Sequence, residues 1–328
     1  MIRMKDIARE AGVALSTVSN VLNRKPAAIK ISEKTQTRIF AISKQLNYVP
    51  NVIARGLSTG RSMQIGLLTP RIEGSLYPFI VQGIEDVLNG QGYSVVLCMY
   101  NSEVELKDRA AHLIRKRVGG ILIIPRLDFP TEIYLDTFKN LAAVTITGKF
   151  QGSSIPCVKV DGVEIGYQAV KHLLELGHRN IAICDCGELD RREGAKKALR
   201  EFRVPSEHVK IFSDTMTFER GREIFTKIID DGNITGVYAY NDQAAAAMIY
   251  EATSLGIKIP ERLSIVGANN MPISTQVYPR ISTVCQPKQE QGAEAAKMLL
   301  DMINNNKSGK DLLLRPELIV RSSTTAVK

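Results

Sequence analysis

Between Gly12 and Asn23 the chain reads GVALSTVSNVLN, and its polar side chains are spaced to hydrogen-bond away from the protein. Val18, Val21 and Leu22 fall at i, i+3 and i+4 of a helix, which turns one apolar stripe inward. Leu15, Ser16, Ser19 and Asn20 are left for another partner. Asn suits the N6/N7 edge of adenine, and Leu suits a thymine methyl. A second set of candidates follows apolar runs further along: Arg71, Tyr77, Arg126, Lys149, Arg191, Asn241, Asp242, Asn269 and Gln286. Arg and Lys in such positions bind carboxylate or phosphate groups.

The elements that position these groups follow from pattern. Asp6–Ala11 reads as a short helix, Gly12 permits a tight turn, and the second helix begins near Ser16 or Thr17, either of which supplies a capping oxygen. Two short helices joined by a Gly-containing turn form a helix-turn-helix unit. A third helix starts at Ser32 as cap and carries Ile39, Ile42 and Leu46 on one stripe. From Gln64 the pattern changes. Strand-like runs at 65–69, 94–99, 119–125, 142–147, 181–186, 236–240 and 263–268 alternate with helical stretches such as Phe79–Leu88, Leu106–Arg117, Ile165–Leu176, Arg192–Phe202, Glu219–Ile229 and Gln243–Leu255. That alternation predicts parallel sheets covered on both faces, and in such sheets ligands sit beyond the carboxyl ends of the strands.

Charge separates the two regions. Residues 1–62 hold eleven lysines and arginines against three acids, a net +8 of the chain's +9, so the other 266 residues are nearly neutral. A concentrated basic module implies a polyanionic partner. No apolar run approaches a membrane span, and no secretory signal is evident. The five cysteines at 98, 157, 184, 186 and 285 are odd in number and read as buried, reduced thiols. Metal binding at Cys184 and Cys186 would need further ligands, and only Asp185 and Glu188 are close. No metal or cofactor is expected. The four histidines show no nucleophile or metal spacing, His178 reads as a loop residue packed between helix and strand, and Thr147-Gly148-Lys149 fails the phosphate-loop pattern at Ala143 and Phe150.

DIAREAGVALSTVSNVLN, YVPNVIARGL, GHRNIAI, YAYND, IPERLSIVG and LIVRSST occur in order from about residue 3 to residue 325. That ordered set resembles the lactose-repressor/galactose-repressor family. The resemblance implies an all-α helix-turn-helix DNA-binding domain at 1–48, a hinge helix at 49–62 and an α/β core at 63–328. The core would be two periplasmic-binding-protein-like, parallel-sheet subdomains, 63–159 with 287–320 and 160–286 with 321–328, crossing near Val158–Val160, Gln286–Pro287 and Val320. It implies a cytoplasmic homodimer on a pseudo-palindromic operator, mostly a repressor, with a small-molecule effector in the cleft between subdomains. DNA contacts would come from Leu15, Ser16, Thr17, Ser19, Asn20, Asn23, Tyr48, Asn51, Ala54, Arg55 and Leu57, with Leu57 wedged between base pairs in the minor groove. Effector contacts would come from Tyr77, Arg126, Lys149, Arg191, Asn241, Asn269 and Gln286. Arg191 stands in an R-x-x-G motif with Gly194, and Asn241 serves equally as a helix cap.

The departures from the family pattern are specific. Ala268-Asn269 replaces an aromatic–Asp pair, Gly74-Ser75 an Asn-Pro, and Gly148-Lys149 an Asp-Arg. These losses remove carboxylates while Arg71, Arg126, Lys149 and Arg191 remain, so an anionic, sugar-like effector is expected. Asn20 replaces a common Arg, which predicts half-sites unlike the lactose operator, and Ala14 and Arg3 replace capping residues. With no heptad extension after Val320, a dimer is expected. The rival reading is a solute-binding protein without a transcriptional role; the basic head argues against it.

Overall fold

The computed structural model describes residues 2–22, 30–48, 62–70, 76–126, 129–139, 141–150, 152–213 and 217–327. The chain divides into two compact units at Met63/Gln64.

The first unit holds α1 (Met4–Ala11), α2 (Leu15–Leu22) and α3 (Glu33–Gln45). Gly12, at φ +61°, ends α1, and the next amide, Val13, returns to the Ala8 carbonyl at 3.1 Å. Ile7, Val18, Val21 and Ile39 are buried together, with Leu22, Ile42 and Tyr48 packed against them. Two expected caps are corrected. Helix α2 starts one residue before Ser16, where the Ala14 carbonyl accepts the Thr17 and Val18 amides at 3.0 and 3.2 Å, so neither Ser16 nor Thr17 caps it. Ser32 precedes α3, yet its side chain makes no cap bond; its hydroxyl meets that of Thr35 at 2.9 Å.

The second unit holds two six-stranded sheets. In the first run β1 (Gln64–Pro70), α4 (Tyr77–Gly90), β2 (Ser94–Tyr100), α5 (Glu103–Arg115), β3 (Gly120–Ile123), α6 (Thr131–Phe138), β4 (Ala143–Ile146) and β5 (Cys157–Val160). The second takes α7 (Gly162–Glu175), β6 (Ile181–Cys184), α8 (Leu189–Glu201), β7 (Val209–Phe212), α9 (Phe218–Asp230), β8 (Gly236–Tyr238), α10 (Asp242–Ser254), β9 (Ser264–Ala268), α11 (Ile273–Gln276) and β10 (Ser282–Cys285). Helix α12 (Lys288–Asn305) and β11 (Leu312–Leu314) return to the first sheet, and β12 (Glu317–Ile319) to the second.

Every neighbouring pair is parallel except β10 with β12. The orders are β11-β5-β4-β3-β1-β2 and β12-β10-β9-β8-β6-β7. Each sheet reverses its winding at its first strand: β1 lies between β2 and β3, and β6 between β7 and β8. Such switch points open a crevice at the carboxyl ends of the strands. The seven expected strands are all present, because β3, β4, β6, β8 and β9 are buried along their whole length. The chain crosses at Asp161, at Gln286–Pro287 and at Arg315–Pro316. The last is a correction from Val320: β11 already pairs with β5, and β12 with β10.

His178 is buried at 3 % exposure and ties the loop after α7 to the carboxyl-terminal tail. Its Nε2 donates to the Thr325 carbonyl, and Nδ1, left as acceptor, takes the Thr235 hydroxyl, both at 3.0 Å. Burial pushes its pKa below the ordinary histidine value. The unfolded chain therefore binds more protons just below that ordinary value. Stability from this group is full above it and is lost as pH falls through the lowered folded value. Asp242 has the opposite sign: burial raises it to about 6, so folding gains from it as pH falls below that value. We predict that urea midpoints measured from pH 7.5 down to 5 fall less steeply for His178→Gln than for the native chain. Parallel curves would show that His178 is not the titrating group.

Candidate functional site

On α2 the outward face carries Leu15, 52 % exposed, beside exposed Ser16; Thr17, Ser19 and Asn20 are half-buried. Leu15 and Ser16 thus stand outward, and Thr17, Ser19 and Asn20 are partly accessible. Tyr48 packs its side chain on the head core. Asn23, Asn51, Ala54, Arg55 and Leu57, the expected hinge, and Arg71, Gly74 and Ser75 lie outside the described residues.

In the second unit the loop after β6 is built by Asp185. This buried carboxylate accepts the Gly187 amide at 2.8 Å and pairs with Arg192. The loop delivers Glu188 to the start of α8, three residues before Arg191. Arg191 is 7 % exposed. Its Nη1 donates to the Tyr240 carbonyl at 2.9 Å, its plane lies 4.6 Å over the Tyr240 ring, and Nε stands 2.7 Å from Glu188 Oε2. Burial disfavours its charge, and the Tyr238 phenol, the Glu188 carboxylate and the Tyr240 phenol more than offset that, so it stays protonated. Tyr240 donates its phenol to Glu188 Oε1 at 2.7 Å.

From the first sheet's side comes Tyr77, on the first turn of α4. Burial, and secondarily the Glu188 carboxylate, push its phenol up, which keeps it a donor. A second group forms at the ends of β9 and β10. Asn269, at φ +98°, accepts from Gln286 through its side chain and from the buried Lys288 ammonium through its carbonyl. Lys288 also lies 5.4 Å over the Phe79 ring of α4, so it touches both halves of this unit. Asp242, fully buried, accepts the Thr283 hydroxyl and the Met271 amide, both at 2.6 Å. A non-glycine residue held at positive φ and locked by two hydrogen bonds is the kind of strain that gathers at binding sites.

Other expected residues take different partners. Lys149 is exposed and pairs with Asp311, which also accepts the Cys157 amide at 3.1 Å. Its place is therefore an anchor between the loop after β4 and the chain entering β11. Arg126 donates its amide to Tyr100 and Tyr134, its Nη1 to the Asn101 carbonyl at 3.2 Å, and stacks on Phe129. Asn241 caps α10, accepting the Ala244 amide at 2.7 Å. Of the four cations behind the anionic expectation, two lie against carboxylates: Arg191 against Glu188 and Lys149 against Asp311. Glu188, Lys288 and Phe79 were not foreseen. Glu188 had a usable signal, standing just after a strand and one turn before Arg191.

Among known proteins, the family of bacterial regulatory proteins, lacI family, matches residues 3–51, and the periplasmic binding protein-like domain matches residues 170–324. The transcriptional regulator DegA of Bacillus subtilis is 32 % identical across 98 % of the chain and 97 % of its own length. The transcriptional repressor PurR of Proteus mirabilis is 30 % identical across 98 % and 97 %. The lac repressor dimer bound to operator and the anti-inducer ONPF superposes with a TM-score of 0.82 at 25 % identity, covering 99 % of each chain. A regulator from Enterococcus faecium with bound ribose gives 0.73 at 29 % identity, over 81 % of this chain and all of the other.

Proposed function

The chain belongs to the lacI family of bacterial regulatory proteins, and from that premise we propose a transcriptional repressor that binds operator DNA as a dimer and answers to a small ligand in its core. The observation that carries this is the first unit itself: a small three-helix head with Leu15 and Ser16 exposed and Thr17, Ser19 and Asn20 partly so, on the segment that holds nearly all the chain's net charge. Residues 1–48 read the major groove with these groups, Asn23 and Tyr48. Residues 49–62, through Asn51, Ala54, Arg55 and Leu57, engage the minor groove.

The ligand binds between the two sheets of 63–328, where Tyr77, Arg191, Asn269 and Gln286 come from both sides; Arg126, Lys149 and Asn241 support the surrounding loops. Its binding shifts the balance between two arrangements of those halves, and so the affinity for DNA. The chain acts in the cytoplasm by binding and has no catalytic role. A solute-binding protein without a transcriptional role finds no support, since relatives matched over nearly the whole chain are regulators. Among the described residues no helix is long and apolar enough to cross a membrane. Dimer formation has apolar surface to use: Tyr250, Val277 and Tyr278 line one concavity, with Tyr278 88 % exposed, and Leu97 and Met99 stand out from edge strand β2.

Selection from a random DNA pool tests the reading. The expected result is a pseudo-palindromic site, bound with a steep salt dependence from phosphate contacts. Asn20→Ala should weaken binding by about 1–3 kcal/mol per half-site and relax preference at one adenine. Enrichment of no symmetric sequence would refute the reading.

A further inference from the structure

We propose that Lys288 is a latch between the two halves of the core: it moves with the first half, its ammonium holds the Asn269–Asn270 turn of the second, and its release sets how readily the halves change arrangement. The inference deepens the reading above, because it takes DNA affinity as the output of that change.

Lys288 follows the crossing at Gln286–Pro287 and opens α12, which packs on the first sheet. Its neighbour fixes it there. A Cβ on Gly83 of α4 would lie 1.9 Å from the Gln289 carbonyl oxygen, so the two helix backbones touch. Gln289 Nε2 also donates to Asp86 of α4 at 2.9 Å. The Lys288 ammonium stands 5.4 Å from the Phe79 ring of the same helix, within range of a cation–π contact. Its hydrogen bonds go the other way. It donates to the Asn269 carbonyl and, at 3.5 Å, to the Asn270 carbonyl, both just past β9 in the second half.

The turn it holds is strained. Asn269 and Asn270 have φ of +98° and +48°, two successive side-chain-bearing residues at positive φ. Their carbonyls converge on one ammonium. Groups of the second half hold the rest of the turn. Arg321 donates to the Asn270 side-chain oxygen at 2.7 Å, Thr283 accepts the Asn270 amide at 3.2 Å, and Asp242 accepts the Met271 amide at 2.6 Å. Lys288 adds a hold that comes from the first half.

A hold of this kind is poised to let go. Lys288 is buried, and its bonds are to neutral carbonyls. Burial pushes its pKa down, against the pull of nearby Cys285 and Asp242. A buried charge forfeits hydration, which it regains on leaving, and the strain in the turn can relax at the same moment. Those two gains offset the lost bonds, so the latched and released arrangements lie close in free energy. A ligand can shift only a balance of that kind.

The test measures affinity of the full chain for the DNA selected above. It compares the native protein with Lys288→Met, Phe79→Leu and the double variant. Ile228→Val, a buried change in α9, is the destabilised control. Methionine keeps most of the stem and removes the ammonium. Lys288→Met should shift DNA affinity by about fivefold or more, the lower end of ordinary coupling between sites. Phe79→Leu should shift it less and in the same direction. The double variant should match Lys288→Met, since Phe79 acts through the ammonium. Hydrogen exchange should quicken at the Asn270 and Met271 amides in Lys288→Met, and not within β9. Ile228→Val should keep native DNA affinity and native exchange at the turn, which separates release of the latch from loss of stability. The proposal is overturned if Lys288→Met shifts DNA affinity by less than about fivefold, if Ile228→Val shifts it as much, or if the effects of Lys288→Met and Phe79→Leu simply add. Unchanged exchange at the turn in Lys288→Met overturns it alone. Should that variant fail to fold, Phe79→Leu decides, and native DNA affinity with native exchange at the turn sinks the latch. Failure of the native protein to bind DNA would instead overturn the regulator reading, with the exchange measurement still deciding the latch.

Discussion

Ile39→Ala should abolish DNA binding while leaving the unfolding of residues 64–328 unchanged. Ile39 is the one fully buried residue of α3 and closes the head against Ile7, Val18 and Val21, all 0–1 % exposed. Deleting three carbons from such a site costs about 2–5 kcal/mol, part transfer and part cavity. A core of this size supplies little more than that, on the order of 3–5 kcal/mol. The head would therefore be largely unfolded, and α2 would no longer present Leu15, Ser16 and Asn20 as one face. Calorimetry should show the larger transition at its native midpoint and the head transition missing. Anisotropy with operator DNA should show a loss of at least thirtyfold at fixed salt. Native-like DNA affinity in this variant would mean that DNA itself supplies the missing stability.

What could be read before the structure follows physical lines. Strands buried on both faces announce themselves as apolar runs, and all seven such runs are strands. Three of the four edge strands do not: β7, β11 and β12 are short and half-exposed, so no run marks them, whereas the longer edge strand β2 is marked by one. Strand β10 hides its Ser282 and Thr283 in the interior, made acceptable by Thr324, whose hydroxyl meets that of Ser282, and by Asp242, which accepts from Thr283, partners about forty residues away in sequence.

The site divides the same way. The candidates placed after strands include Arg191, Asn269 and Gln286, and all three are buried. The anionic expectation rests on a count of charges, and a count is blind to pairing. Asp311, which neutralises Lys149, lies 162 residues away, and Glu188 meets Arg191 only because α8 turns one onto the other. The R-x-x-G spacing draws attention to its arginine. Its glycine proves to matter as much, for reasons of packing.

Gly194→Val should unfold the second half of the core, and Gly194→Ala should already lower its stability markedly. A Cβ on Gly194 would lie 1.8 Å from the Val163 carbonyl oxygen of α7, and one on Gly166 would lie 1.9 Å from the Arg191 carbonyl oxygen of α8. The two helices thus cross with their backbones in contact, each using a glycine to admit the other. The obstructing atoms are backbone, so no rotamer change can yield; α7 and α8 must separate. Overpacking by one methyl in a close-packed seam costs about 1–3 kcal/mol, and valine should exceed about 4 kcal/mol, in the range reserved for core disruption.

Moving α8 outward also carries Arg191 and Glu188 away from Tyr240, so ligand response should vanish before folding does in the alanine variant. Gly90→Ala is the control. It ends α4 with nothing within 4 Å of an added Cβ, and replacing glycine in a helix gains up to about 1 kcal/mol. Chemical denaturation of the three variants decides the matter. If Gly194→Ala falls within about 0.5 kcal/mol of native, as surface changes do, the seam yields and the close approach of α7 and α8 is not what fixes the Glu188–Arg191 corner. The first half of the core repeats the device, with Gly83 against the Gln289 carbonyl oxygen at 1.9 Å and Gly292 against that of Ile80 at 2.0 Å. Gly292→Ala should therefore destabilise by a comparable amount while sparing Arg191 and Glu188, which separates loss of the corner from loss of the fold.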